Sequence, residues 1–386
     1  MKVLAISLLQ KAKIVAAPGA SQQIDEVLAD AGYKKPFVVF DKGVKDCGIV
    51  DQVTSVLKAK GIEFVEFGDV LPDPPCDMVE RAAEQCKAAK CDCVIVIGGG
   101  SSIDTGKAVT VLRYNPGHIL DYAKPDAVMQ QCYGLIAIPT TAGTGAELSN
   151  GIIITDPVSK VKCPIVGDKA MAEYVLIDPN LTLGMPPGIT LATGLDVFSH
   201  AMEAYTTVLA KPMSDIVCEK IMEDVVEYLP RCVANGKDLE ARTKMIILAS
   251  MGGWMLANCC AHVGHSIAHV IGAKFHIPHG AACAYGAPAA IRFVAPAVPE
   301  KMRKVGKILG AKFDGSETPE QIGEKTAAAY VAFRDSMNLK PLSSYNIPEA
   351  EWSAVAKDIS VECFAPLTPR KVTEEAALQM LKETFQ

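Results

Sequence analysis

No stretch of the 386-residue chain approaches the roughly 18 uninterrupted apolar residues that a membrane-spanning helix needs, so no membrane span is expected. No lysine- and arginine-rich run occurs either, and the formal net charge is -6. Both features argue against a nucleic-acid or acidic-lipid partner. None of the thirteen cysteines forms a CxxC pair; Cys91/Cys93 and Cys259/Cys260 are too close together, and the others are scattered among apolar residues. That is the pattern of reduced core thiols. Internal repeats and low-complexity segments are also missing. Lys2 followed by VLAISLL imitates a signal peptide, but Gln10, Lys11 and Lys13 interrupt the apolar run. An opening β-strand in a cytoplasmic protein is the better reading. Histidine is scarce, with seven in the chain. Five of the seven nevertheless fall between His262 and His279, in HVGHSIAHVIGAKFHIPHG, and a sixth, His200, follows Asp196 by four residues.

With 49% hydrophobic and 21% charged residues the composition is globular, and the length allows two cores. Up to about residue 185 short β-branched runs alternate with helix-like segments. PFVVF at 36–40, IEFVEF at 62–67, CVIVIG at 93–98 and GLIAIP at 134–139 read as strands, with helices over 51–60 and 77–90 between them. Near-continuous apolar strands alternating with helices predict a Rossmann-like α/β domain with a parallel sheet covered on both faces. Beyond the MPPG stretch at 185–188 the texture becomes rich in Ala, Met, Leu and Glu, with helices predicted over 190–208, 214–229, 239–262, 318–337 and 372–385. The expected organisation is an α/β dinucleotide-binding domain over 1–187 and an all-helical, metal-binding domain over 188–386.

Four constellations carry chemistry. GGGSSIDTGK at 98–107 directly follows a strand. A tight strand-to-helix turn needs one glycine; Gly98, Gly99 and Gly100 in succession let backbone N–H groups approach an anion, and the helix that follows favours a diphosphate. PTTAGTGAE at 139–147 places Thr140, Thr141 and Thr144 at the end of another strand, on the sheet edge where nucleotides bind. Judged alone, a capped loop explains it equally well. Asp41 ends the strand at 36–40, where an acidic side chain can bind a ribose diol and repel a 2′-phosphate, or simply cap a helix. The fourth set is the histidines. Asp196/His200 and His265/His269 are i, i+4 pairs that a helix places on one face, with His262, His276 and His279 nearby. Three imidazoles and one carboxylate would form a tetrahedral site for a divalent first-row ion, although spacing alone does not say which histidines are ligands. The Cys259–Cys260 pair reads as buried thiols, because adjacent helical residues point about 100° apart.

Taken in order, DKG at 41–43, GGGSSIDTGK, TTAGTGAE, ITD at 154–156, DVFSHAMEAY, HSIAH and PHG resemble the iron-containing (group III) alcohol dehydrogenase family, including members acting on lactaldehyde and 1,3-propanediol. The resemblance spans nearly the whole chain. It implies a nucleotide-binding α/β domain, a helical domain, and an active site in the cleft between them. It implies metal ligands Asp196, His200, His265 and His279, with His269 as a nearby non-ligand imidazole suited to relaying the alcohol proton; His262 and His276 remain structural. Cofactor contacts implied in the same way are Asp41, Gly98, Gly99, Gly100, Ser101, Asp104, Thr140, Thr141, Thr144 and Lys162, with Lys107 in the same loop. The implied cofactors are NAD, favoured over NADP by Asp41, and Fe²⁺, with Zn²⁺ as the competitor that intrinsic affinity would prefer. The expected reaction is interconversion of a short primary alcohol or diol and its aldehyde by metal-assisted hydride transfer. The expected partner is a small-molecule alcohol or aldehyde, and the expected state a homo-oligomer. Polyol dehydrogenases, the lyase 3-dehydroquinate synthase and an inert metal- or nucleotide-binding protein are the alternatives. The family's usual NPR appears here as Thr368-Pro369-Arg370, in a segment that, with the bulky Phe364 and WMLAN at 254–258, resembles the borders of a substrate pocket.

Overall fold

The structure, a computed structural model, describes residues 7–124, 126–159 and 161–385. Among the described residues there are eight strands: β1 (Lys13–Ala16), β2 (Pro36–Asp41), β3 (Val65–Val70), β4 (Cys93–Gly98), β5 (Leu135–Pro139), β6 (Gly151–Asp156), β7 (Val161–Val166) and β8 (Tyr174–Ile177). Six form one sheet in the order β1-β8-β5-β4-β2-β3, every pair parallel. β6 and β7 form a separate antiparallel pair. All six residues of β4 and all five of β5 are buried, as expected of strands covered on both faces. On one face Val38, Phe40, Ile95, Ile97, Ile136 and Ile138 pack with Leu28, Val50, Val53 and Leu57 from the covering helices. Each such fully buried aliphatic side chain contributes about 1.5–3 kcal/mol.

The strand order decides where a ligand can bind. From β2 the chain first moves outward to β3 and then returns to lay β4 on the opposite side of β2. The order thus reverses between β2 and β4, and open parallel sheets bind ligands at the carboxyl ends of strands flanking such a point. Register places Phe40 beside Ile97 and Gly98 beside Pro139, so Asp41, the glycine run and the threonine loop emerge next to one another.

The chain divides into two compact units. One is Leu9–Gly184; the other begins at Met185 and ends in the helix Glu374–Phe385. Ser7 and Leu8 go with the second, where the Ser7 carbonyl accepts from Lys211 Nζ at 3.0 Å. Among the described residues no strand follows Ile177, and long helices fill the second unit.

Several boundaries differ from the sequence expectation. The opening strand expected over the first residues lies partly outside the described residues; 7–12 are irregular, and the first strand is β1. The 62–67 strand is displaced to Val65–Val70, where Phe67 and Val70 provide the buried positions and pairing with β2 shifts register between Val39 and Asp41. The single helix expected over 239–262 stops at Cys259, because Cys260 adopts φ 60° and ψ -178°. A second helix, Val263–Phe275, leaves at 110° to the first. No single described helix is long and apolar enough to cross a membrane.

Candidate active site

The helix Pro187–Thr206 starts with proline at its first position, where the missing N–H costs nothing, and runs twenty residues. Positions 196, 200 and 203 are i, i+4 and i+7, so Asp196, His200 and Glu203 share one face, and all three are buried. His265 lies on the Val263–Phe275 helix, and His279 begins the helix His279–Val294. Three helices therefore bring four donors together: ligand atoms of Asp196, His200, His265 and His279 all lie within 4.8 Å of one another. The Nε2 atoms of His200, His265 and His279 stand 3.5, 3.6 and 3.5 Å from Asp196 Oδ1. These separations are too long for hydrogen bonds. They match the ligand-to-ligand edge of roughly 3.3–3.6 Å that bonds of about 2.0–2.2 Å give in a tetrahedral site. Asp196 Oδ1 is buried and accepts no hydrogen bond. An orphaned carboxylate oxygen facing three imidazole nitrogens fits a divalent cation, and no other group among the described residues satisfies it.

Electrostatics favour the neutral, lone-pair form at two of the three imidazoles. Burial lowers His200 to about 4 and His279 to about 3, keeping both neutral with lone pairs available. Burial acts to raise Asp196, but His200, His279 and His265 outweigh it and hold the carboxyl far below its usual range. Burial also opposes a charge on His265, and Cys283, Glu203 and Asp196 together overcome it and push that imidazole up.

Two carboxylates behind the histidines were not singled out from the sequence. Glu203 Oε1 accepts from His265 Nδ1 at 2.7 Å, and Oε2 accepts from the backbone N–H of His262 and His265 at 2.8 and 3.1 Å. Anchoring Nδ1 in this way turns Nε2 toward Asp196. Glu203 sits opposite Gly264, where a Cβ would fall 2.5 Å from Oε1. A carboxylate three residues after His200 on a buried apolar face was the available signal. Glu362 receives His269 Nδ1 at 2.8 Å on Oε1. Burial acts to raise Glu362, but the bonds from His269 and Ser266 hold it at about 2.

His269 stacks on His279, with centroids 5.4 Å apart, and lies edge-on to His265 at 5.9 Å. It is thus adjacent to the donor cluster without belonging to it. Phe364 lies 5.5 Å from the His269 ring and 6.2 Å from His265, placing the aromatic side chain over both. The Cys283 thiol, 3.8 and 3.7 Å from Nε2 of His265 and His279, also adjoins the cluster. His262 is structural: its Nε2 pairs with Thr206 Oγ1 at 2.9 Å. His276 ends the Val263–Phe275 helix in a left-handed conformation.

In the other unit, the helix Gly100–Tyr114 opens directly after β4, with Gly99 as its N-cap and no side chain bonding the first turn. Helix N-termini carry backbone N–H groups without intrahelical partners, which suits an anion. The turn is built around missing side chains. A Cβ at Gly98 would meet Ser102 at 2.4 Å, one at Gly99 would meet Thr141 at 3.1 Å, and one at Gly100 would meet Thr144 at 3.1 Å. The threonine loop therefore lies against the glycine run, tied to it by Thr140 N–H donating to the Gly98 carbonyl at 3.0 Å. Asp41 fulfils the capping reading: Oδ1 accepts from Val44 N at 3.0 Å at the start of a short helix, and Oδ2 accepts from Ser102 at 3.1 Å.

Asp104 and Lys162, expected in the cofactor set, also have protein partners. Asp104 Oδ2 accepts from Ile153 N at 3.1 Å, and burial raises its carboxyl to about 6. Lys162 Nζ pairs with Asp73 at 2.7 Å. The Lys107 ammonium donates to the carbonyls of Ser149 and Gly151 and to Ser149 Oγ, so its three donors anchor the chain at 149–151.

The sequence matches two family descriptions, iron-containing alcohol dehydrogenase over residues 11–179 and the C-terminal part of the Fe-containing alcohol dehydrogenase family over residues 190–385. It is 31% identical to an NAD-dependent methanol dehydrogenase of Bacillus methanolicus, over 95% of this chain and 96% of that protein. It is 32% identical to a choline dehydrogenase of Bacillus subtilis, over 95% and 92%. A crystal structure of a 1,3-propanediol oxidoreductase superposes with a TM-score of 0.94 at 27% identity, covering 99% of this chain and 100% of that one.

Proposed function

The chain belongs to the iron-containing alcohol dehydrogenase family, and from that premise we propose that it interconverts a short primary alcohol or diol and its aldehyde, using NAD(H) and a divalent metal. The observation that carries the proposal is the approach of three buried imidazole Nε2 atoms to within 3.5–3.6 Å of an otherwise unbonded Asp196 oxygen.

Asp196, His200, His265 and His279 would hold the ion, Fe²⁺ by family and Zn²⁺ by intrinsic affinity. A bound divalent ion supplies Lewis acidity, which polarises a carbonyl and acidifies an alcohol. The protein's own groups do the rest. Glu203 keeps His265 in the tautomer that presents Nε2. His269, beside the cluster, is placed to carry the alcohol proton, since imidazole exchanges protons in the neutral range. Phe364 packs beside the His269 ring, with centroids 5.5 Å apart. Gly98, Gly99, Gly100 and Ser101 would cradle the NAD diphosphate, with Thr140, Thr141 and Thr144 lining the same turn. Asp41, at the end of β2, would receive the ribose diol and disfavour a 2′-phosphate. Asp104 and Lys162 would act near the nucleotide from the positions their protein partners now hold. Methanol and choline, named for two relatives, differ enough that the alcohol itself must be found by assay.

All thirteen cysteines are free thiols, which supports a reducing, cytoplasmic setting. Exposed Val161 and Val166 on β7, with exposed Val158 in the turn before it, support self-association, to be checked by light scattering. The deciding experiment is elemental analysis of the purified protein, followed by a panel of alcohols and aldehydes with NAD(H) and NADP(H) before and after chelation. Metal-dependent NADH formation is expected. Turnover that survives complete chelation would overturn the proposal.

A further inference from the structure

Four donors converge on the Glu362 carboxylate, and they are divided unevenly between its oxygens. Oε1 faces His269 Nδ1 at 2.8 Å and the Cys363 thiol at 3.2 Å. Oε2 receives the Ser266 hydroxyl at 2.7 Å and the Phe364 backbone N–H at 2.8 Å. A backbone N–H can only donate, so the oxygen opposite Phe364 must remain an acceptor. The Glu362 side chain is 14% exposed, which leaves little water to replace these partners. The bond to His269 adds a charge-assisted donor to a carboxylate that is otherwise pinned in place.

We infer that Glu362 is a positioning residue that fixes His269 as its Nδ1–H tautomer, leaving the Nε2 lone pair on the opposite edge of the ring to accept a proton. The inference rests on the proposed proton-carrying role of His269. The segment 362–364 then does two jobs with neighbouring residues. Glu362 sets the tautomer and tilt of the imidazole from one edge, and the Phe364 ring lies 5.5 Å from it. Orientation of a catalytic imidazole by a buried carboxylate is a general device, and replacing the carboxylate by its amide can reverse the tautomer while preserving shape.

The unequal donor sets make that reversal specific here. In Glu362→Gln the amide oxygen must take the Oε2 position, because Phe364 N–H and the Ser266 hydroxyl both donate there. The amide NH₂ is then forced to face His269 Nδ1 and donate to it. His269 must move its own proton to Nε2, which leaves no lone pair for the reaction.

The test uses the full chain labelled with ¹⁵N-histidine, in metal-free form for spectroscopy and metal-loaded form for kinetics. Long-range ¹H–¹⁵N spectra, with His269 assigned through His269→Gln, are expected to show Nδ1–H in the native protein and Nε2–H in Glu362→Gln. With 1-propanol and NAD as probes, Glu362→Gln is expected to lower kcat by about 10²-fold with KM within about twofold, at native metal content. Glu362→Ala, which imposes neither tautomer, should fall less in kcat than Glu362→Gln. An unchanged tautomer in Glu362→Gln, or native kcat in that variant while His269→Gln is disabled, would overturn the inference. Native turnover in His269→Gln would instead overturn the role proposed for His269, and the tautomer spectra would still report on Glu362.

Discussion

Replacing Gly280 by alanine tests whether helix packing sets the metal geometry. Gly280 follows His279 at the start of its helix, and a Cβ there would lie 2.1 Å from the Ala192 carbonyl oxygen and 2.6 Å from the Ala192 carbonyl carbon. Ala192 is on the Pro187–Thr206 helix, one turn before Asp196. Both obstructing atoms are backbone, so no side chain can swing aside. Real Cβ contacts essentially never fall below 3.0 Å, and the two helices must therefore separate by about 1 Å. That displacement acts on the His279 Nε2 to Asp196 Oδ1 separation, now 3.5 Å. Overpacking of this kind costs about 1–3 kcal/mol in stability. A ligand displaced by about 1 Å is also expected to weaken metal binding and turnover by about 10²-fold. The assay is competition against a chelator of known affinity, with thermal unfolding of the metal-free protein measured alongside. Gly188→Ala, on the same helix as Ala192 with nothing within 4 Å of its added Cβ, is the control and should be close to native. Native metal affinity in Gly280→Ala would refute the claim that backbone contact sets the position of His279.

Glu203→Gln should weaken metal binding by about 10–100-fold, since His265 loses the acceptor that orients it; an unchanged dissociation constant would remove Glu203 from the site. Burial acts to raise Glu203, but His265 and His262 hold it at about 2, below its ordinary 4.5. Glu203 therefore adds stability above about pH 4.5 that is lost as pH falls toward 2, and Glu203→Gln should flatten that part of the thermal-midpoint profile of metal-free protein. Gly98→Ala should raise KM for NAD at least about tenfold without loss of metal, because the new methyl meets Ser102; equal KM would place the nucleotide elsewhere. Asp41→Ser keeps an N-cap oxygen but removes the charge, so the NADP-to-NAD ratio of kcat/KM should rise; a fixed ratio would count against Asp41 as the discriminating residue.

The parallel sheet was legible because its central strands are buried on both faces and read as unbroken apolar runs, as CVIVIG and LIAIP do. Short or partly exposed strands left no such trace. β8 has four residues, and β6 with β7 mixes buried and exposed positions, so none stood out. The candidate metal donors were readable in part from spacing: i, i+4 linked Asp196 with His200, but the packing of three helices is what brings His265 and His279 to the same oxygen. Glu203 and Glu362 were missed for one reason. A lone glutamate in a sequence looks like a solvated surface residue, and its role depends on an imidazole 62 or 93 positions away. The break at Cys260 was equally invisible, because nothing in the residue type announces a positive φ.

That break has a consequence for how the helical unit assembles. The donors Asp196 and His200 are made long before His265 and His279, and a newly formed helix offers a metal only that first pair. The turn at Cys260 must form, and the next two helices must dock, before the third and fourth donors arrive. An ion held by these four residues would cross-link three helices across some 80 residues of chain, as a covalent staple does, and its binding energy would become folding energy for this half of the molecule. None of the four donors lies in the sheet unit, so withdrawing the ion should loosen the two halves unequally, with the helices becoming the first target of proteases.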